Sequence, residues 1–424
     1  MGDHRMATFR PSKQWTSNEN RGWRLRYLLP FMLLHPLFET PNVRPECFAQ
    51  PPSERASRDE PTRTLLKKTV EELRSSGGKP WGGAIPGITA TLITAAGPEA
   101  GVVTVTSGFA NIAAEKRLNA ESGFHIGSIT KTFTAALILQ LSQEGKLSLQ
   151  DPMSRWIDGF AYGKDVTVEM LLRHTSGIPD FVSLPAHDPA DSPHESISHV
   201  LNREPDFQAG TRWKYSNTNY TILGLIAEEV TSSTWEDLIT RRFFKPLKLD
   251  HTYVWTGTPR TSTVSGYEPS CNYFENPACA RKEGFRLNRV EAEKADWKVA
   301  WAAGAIVSTS ADLAKWISAI MSGKVLDDHH LTMMTTASSH STETLSRGKP
   351  YGELEWIGYG LGLCKFRIGE SIGWGHSGVI HGGTGIVVHM VDSEKKFSLL
   401  SNYGKFNARR GLGQLVLRLG DTKP

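Results

Sequence analysis

Phe124-His-Ile-Gly-Ser-Ile-Thr-Lys131 is the stretch on which the reading of this chain turns. A glycine precedes Ser128 and a nearly all-apolar run, Thr130–Ser142, follows it, which predicts a serine at the N-terminus of a buried helix. There the aligned peptide dipoles favour a developing anion. Ser128 and Lys131 are three residues apart, so on that helix they share a face and their side chains can meet. A serine hydroxyl is a weak nucleophile until a neighbouring base takes its proton, and a buried lysine can be neutral enough to help. Spacing alone says little. Random composition supplies about one S-x-x-K per chain of this length, and a helix N-cap serine would look the same. Ser76-Gly-Gly-Lys79 is such an accident, because its glycines forbid the helix that would align the pair.

Two further blocks change the balance. Trp213-Lys-Tyr215-Ser-Asn217 stands just before another apolar run, Tyr220–Val230, so Tyr215 and Asn217 sit two apart at a loop-to-helix junction. Tyr215 can shuttle a proton and Asn217 can donate to a substrate carbonyl; a core tyrosine and a helix N-cap asparagine fit the same letters. The third block, Gly373-Trp-Gly-His-Ser-Gly378, precedes the C-terminal strands. Its small residues let a substrate backbone lie against a sheet edge, with the N–H of Val379 facing the cleft. His376 is then either a substrate-side group or a structural histidine.

In this order the three blocks resemble the serine β-lactamase and penicillin-binding-protein superfamily, in its class C-like branch of esterases, D-peptidases and transesterases. The resemblance runs from about Thr62 to the end and takes in Leu171–Pro179, Phe244–Thr252 and Ala303–Leu313, which read as scaffold. It implies Ser128 as the acylated nucleophile and Lys131 as the group that lowers its proton affinity. It implies Tyr215 as general base in acylation and acid toward the leaving group, its phenol drawn below the free pKa of about 10 by Lys131. Asn217 would orient Lys131 or the substrate amide, Gly378 would admit the substrate backbone, and the N–H groups of Ser128 and Val379 would form the oxyanion hole. His376 stands where the lactamases carry a lysine, which removes a fixed charge from the place where β-lactams present a carboxylate. No metal or cofactor is implied. Three departures stand out: Ala209-Gly210 in place of Pro-Gly, Lys248 and Asp250 in the helix exit, and a second histidine-glycine stretch at His381-Gly-Gly383.

The expected fold is α+β, as in the β-lactamase/transpeptidase architecture. Ile88–Thr94 and Val102–Thr106 read as a hairpin, and Gly383–Met390 and Phe397–Leu400 as strands at the other end. Between them lie helical runs at Val168–Arg173, Tyr220–Val230, Trp235–Phe243 and Ala311–Ile320, with Leu65–Leu73 ahead of the hairpin. One antiparallel sheet built from both chain ends, flanked by helices and carrying an inserted, mostly helical lobe, accounts for this order. Residues 61–424 form that domain and residues 1–60 a Pro-, Arg- and Ser-rich leader. In the leader, the apolar run Tyr27–Phe38 is too short for a bilayer. A signal peptide, an organellar transit peptide and a solvated extension all fit it, leaving the compartment open between cytoplasmic and secreted or organellar.

Over 424 residues, 48 Lys and Arg face 44 Asp and Glu, and residues 1–26 alone hold six basic residues against Asp3 and Glu19. The remainder is neutral. With 39% hydrophobic and 22% charged residues, the chain is not a disordered segment, a polytopic membrane protein or a generally basic nucleic-acid binder. Four cysteines without C-x-x-C spacing offer no zinc site, and Cys271 and Cys279 read as reduced thiols. The sequon Asn219-Tyr-Thr221 lies inside the second block and carries no secretion argument. Gly369-Glu-Ser371-Ile-Gly373 matches a nucleophile elbow, but the helix that an elbow needs does not follow. The expected partner is a small ester, amide or lactam, with hydrolysis and acyl transfer differing only in what resolves the acyl-enzyme. A slow-deacylating sensor is the rival of another class. Trp213, Trp301, Tyr359 and Trp374 are candidates for an aromatic cleft, shared with core packing.

Overall fold

Strand β1 (Gly87–Ile93) joins the two ends of the chain: it pairs antiparallel with β2 (Val102–Asn111) on one side and with β13 (Lys396–Ser401) on the other. The computed structural model describes residues 52–76, 84–94, 101–184, 192–270, 287–290, 300–347 and 353–420. With β3 (Lys116–Arg117), β9 (Glu355–Tyr359), β10 (Cys364–Ile368), β11 (Ser371–Ile380) and β12 (Gly383–Met390), the main sheet has eight strands in the order β3-β2-β1-β13-β12-β11-β10-β9. Every pairing in it is antiparallel. Short sheets of β4 (Phe124–His125), β8 (Ile306–Ser308) and β5 (Tyr253–Val254), and of β6 (Tyr267–Pro269) and β7 (Leu287–Arg289), lie outside it.

Period-two alternation sorts the strand residues between two helical layers. Ile88, Ala90 and Leu92 of β1, Ile386 and Val388 of β12, and Phe397 and Leu399 of β13 share a core with Leu66, Val70 and Leu73 of α1 (Pro52–Ser76) and with Leu412, Leu415 and Val416 of the C-terminal helix Ala408–Leu419. The intervening residues face the other way. Val387 and Leu400 join Ile129, just ahead of α2 (Thr130–Gln143), and Phe133 and Leu137 within it, while Thr89 and Thr91 bond Ser310 at 3.0 and 2.8 Å, at the start of the helix Ser310–Met321. The sheet is thus covered on both faces, and the α+β fold expected from the sequence is the one formed.

The inserted lobe holds α3 (Val168–Arg173), α4 (Pro193–Ser198), α5 (Asn217–Thr231) and α6 (Trp235–Ile239), the last passing into a π turn at Thr240–Phe244. Helix α5 is buried along Thr218–Ala227 and packs against α2, α3 and α4. It starts three residues before the periodic run that marked it, because Asn217 already lies in its first turn. Leu65–Leu73 falls within the longer α1. Ser371 opens β11 after a turn at Gly369, with φ +56, so this serine stands on a hairpin and not on an elbow. Cys271, Cys279 and Lys79 lie outside the described residues, and Cys364 is a buried free thiol. Among the described residues no helix is long and apolar enough to cross a membrane.

Phe397 is 1% exposed between the sheet and the α1 layer. Truncation to alanine should cost about 3–5 kcal/mol, read as a lower midpoint at unchanged slope in urea unfolding.

Candidate active site

Two glycines seat the Ser128 turn against the main sheet. Gly127 has φ +52, and a Cβ on it would stand 2.9 Å from the Val379 carbonyl oxygen. A Cβ on Gly378 would overlap the Ile126 carbonyl oxygen and come within 3.1 Å of the Ser128 nitrogen. Only glycine allows either approach. Strand β10 pairs with Ser371–Gly375 alone, so from His376 to Ile380 the paired partner of β11 is β12 and its other edge is left to this turn. Ser128 itself is half-buried in the 3-10 turn Gly127–Ile129 that leads into α2.

Lys131, in the first turn of α2, is fully buried. Its Nζ lies 3.0 Å from Ser128 Oγ and donates to Asn217 Oδ1 and the Ala303 carbonyl, both at 2.8 Å. Both of those oxygens only accept, so two N–H bonds are committed to them and the third valence of nitrogen points at Ser128. Burial pulls the lysine pKa down to about 7, against the opposing pull of Asp180 and Cys364. Near neutrality that third valence is a lone pair in a large share of molecules.

Asn217 presents its carbonyl end to Lys131 because its amide end is engaged elsewhere. Nδ2 donates to both carboxylate oxygens of Asp180, at 3.1 and 3.3 Å, and the Asn217 backbone N–H donates to Oδ1 at 3.1 Å.

The Tyr215 hydroxyl is buried and makes no hydrogen bond of good geometry, although Ser128 is near enough to ease its ionisation. Lys131 Nζ stands 5.0 Å from the centre of its ring. Burial outweighs Ser128 and raises the phenol pKa well above 10, the reverse of the depressed phenol that the resemblance implied. A lysine that burial drives toward neutrality offers no fixed cation to draw the proton off.

His376 is buried: Nδ1–H donates to the Ser377 carbonyl at 2.6 Å, and Nε2 accepts from Tyr359 Oη at 3.1 Å. Burial lowers its pKa to about 3, so the ring is neutral and its two nitrogens face protein. Val379, three residues further along β11, is 68% exposed.

Three participants were not read from the sequence. His174, at φ +58 after α3, accepts the Ser216 N–H at Nδ1 (3.2 Å) and lies 4.3 Å from the Tyr215 ring. Asp180 comes directly after Leu171–Pro179, the stretch that reads as scaffold. Trp356, half-buried, stands edge-on to Trp213 at 5.6 Å and to Tyr215 at 6.4 Å. Of the four aromatics proposed for a cleft, Trp213 and Tyr359 are here. Trp301 packs on Trp235 at 5.6 Å in the helical lobe, and Trp374 is buried near Gly360. Asn219 of the sequon is buried, accepting from Ser176 Oγ at 2.8 Å. Among the described residues no cluster of His, Cys, Asp and Glu could hold a metal.

An antiparallel sheet covered on both faces, with S-x-x-K opening a buried helix and His-Ser-Gly on the strand edge beside it, defines the serine β-lactamase and penicillin-binding-protein class. The family profile described as Beta-lactamase matches residues 68–418, and the chain belongs to that family. It is 27% identical over 312 residues to penicillin-binding protein 4* of Bacillus subtilis, covering 70% of this chain and 64% of that protein. It is 30% identical over 224 residues to the putative penicillin-binding protein PbpX of the same organism, covering 53% of each. The chain therefore spans between half and two thirds of the length of these relatives. Among solved structures, a D-stereospecific amidohydrolase from Streptomyces sp. superposes with a TM-score of 0.67 at 26% identity, over 84% of this chain and 99% of that one. The D-amino acid amidase of Ochrobactrum anthropi SV3 shares the fold at TM-score 0.69 and 24% identity, over 84% and 98%.

Gly378→Ala should leave the far-UV circular dichroism intact but slow fluorophosphonate labelling by about a hundredfold, since it moves the strand edge off the Ser128 turn. Labelling at the wild-type rate would show that the approach of β11 to Ser128 is immaterial.

Proposed function

We propose that this protein is a class C-like serine hydrolase that cleaves a small amide or ester through an acyl-enzyme on Ser128. The observation that carries the reading is the fully buried Lys131 amine, 3.0 Å from Ser128 Oγ, with its other two directions held by acceptors. Neutral Lys131 takes the Ser128 proton as Oγ bonds to the substrate carbonyl carbon, and the carbonyl π pair moves onto oxygen. The N–H groups of Ser128 and Val379 receive that oxyanion, each worth about 3 kcal/mol. Tyr215, kept protonated by burial, gives its proton to the leaving nitrogen or oxygen as the C–N or C–O bond breaks, and regains one from the Lys131 ammonium. Water resolves the acyl-enzyme by the same route in reverse. The base is thus the amine and the acid the phenol, since their environments push the two pKa values apart.

Similarity to the Streptomyces D-stereospecific amidohydrolase supports an amide as the scissile group. Trp213 and Trp356, half-buried beside Tyr215, form an apolar shelf suited to a bulky side chain. The neutral, inward-bonded His376 gives no cation to a substrate carboxylate, which weighs against β-lactams.

Ser128→Ala should abolish turnover of p-nitrophenyl esters and amino-acid amides. A burst of one equivalent without a steady state in the wild type would make the protein an acyl trap instead. Because Lys131 acts when unprotonated, kcat/KM should rise with pH through an acid limb near 7 and fall tenfold per unit below it. Tyr215→Phe should lower kcat by at least about a hundredfold without moving that limb.

A further inference from the structure

Asp180 follows the stretch Leu171–Pro179 and is built into the start of α5 from both sides. It caps the 3-10 turn Phe181–Ser183 by accepting the Val182 N–H, while its neighbours are fastened to Thr218: the Phe181 N–H donates to Thr218 Oγ1 at 3.0 Å, and that hydroxyl donates to the Pro179 carbonyl at 2.7 Å. From this fixed position its two oxygens accept three hydrogen bonds from two nitrogens of Asn217, the backbone N–H and Nδ2. An amide side chain has two ends of nearly equal shape and opposite hydrogen-bond character, and something must choose between them.

We propose that Asp180 is the positioning residue of this site, holding Asn217 with its carbonyl end toward Lys131 and so leaving the lysine's third valence directed at Ser128. The inference rests on the acyl-enzyme reading above. With the amide reversed, Nδ2 would face Nζ; it would repel the ammonium, and in the neutral amine it would draw the lone pair away from Ser128. Asp180 also acts on Lys131 by charge. The groups facing that amine are Ser128, Asn217, the Ala303 carbonyl, the rings of Tyr215 and Tyr220, the Cys364 thiol, and His174 and His376. Burial keeps both histidines neutral and raises the thiol pKa, so Asp180 is the formal charge that favours the ammonium. Removing it therefore lowers the pH at which the lysine becomes a base.

The test measures the rate of fluorophosphonate labelling against pH for Asp180→Asn and Asp180→Ala, each alone and combined with Asn217→Ala. Asp180→Asn is isosteric and its Oδ1 can still accept from Asn217 Nδ2. It should keep the alkaline plateau within a few-fold and move the acid limb down by about one pH unit. Asp180→Ala should lower the plateau by about tenfold or more, a loss that disappears in the Asn217→Ala background because no amide remains to orient. An unmoved limb in Asp180→Asn, or an undiminished loss in the Asn217→Ala background, overturns the proposal. Should Asp180→Ala fail to fold, the limb of Asp180→Asn decides. Mapping the labelled peptide separates the two levels: label on a residue other than Ser128 defeats the acyl-enzyme reading, whereas label on Ser128 with an unmoved limb defeats only the role of Asp180.

Discussion

An amine held in the interior of a protein is expensive to charge, and the position of Lys131 follows from that cost. A lone ammonium in apolar surroundings gives up its proton before the fold gives way, and here the surroundings are supplied by α2, by the start of α5 and by the segment ahead of β8. The same desolvation acts on Tyr215 with the opposite outcome, since for a phenol the charged form is the deprotonated one. One dry environment therefore keeps the amine unprotonated, with a lone pair to offer, and keeps the proton on the phenol. That division of labour supports the lysine as base and the tyrosine as acid.

The fold serves this chemistry by closing a sheet with residues from both ends of the chain and leaving half of one strand edge free. Pairing of β1 with β13 completes the sheet, and alternation in β12 and β13 directs one set of apolar residues to α1 and the other to α2. Helix α2 is thereby pressed onto the sheet with its first turn at the edge of β11 where β10 has ended. Gly127 and Gly378 let the two backbones, a helix start and a strand edge, meet closely beside Ser128. A rigid sheet and a buried helix hold this arrangement, so its precision does not depend on loop order.

Much of this was legible in the residues. The β-branched runs and their turns marked the hairpin and the C-terminal strands, and apolar periodicity located α2, α3 and α5 to within a few residues. Ser128, Lys131, Tyr215, Asn217, His376 and Val379 stood out from three short blocks, and the structure brings the segments that carry them to one place. His174 and Asp180 escaped because their side chains act on α5 across about forty residues of sequence, and nothing in the spacing announces a bond of that kind. Trp356 escaped for a similar reason. The letter is the same as in Trp301 and Trp374, and only packing separates a tryptophan on a cleft from one in a core.

The sequence by itself determined the sheet-and-helix order, the family and the identity of the chemical groups, because strand and helix periods, turn residues and short motifs are local properties. The tertiary structure decided that burial leaves the Lys131 amine largely neutral and the Tyr215 phenol protonated, which way the Asn217 amide points, and that His376 is turned into the protein. Those outcomes depend on how much water surrounds each side chain and on partners contributed by distant segments, and neither exists until the chain has folded.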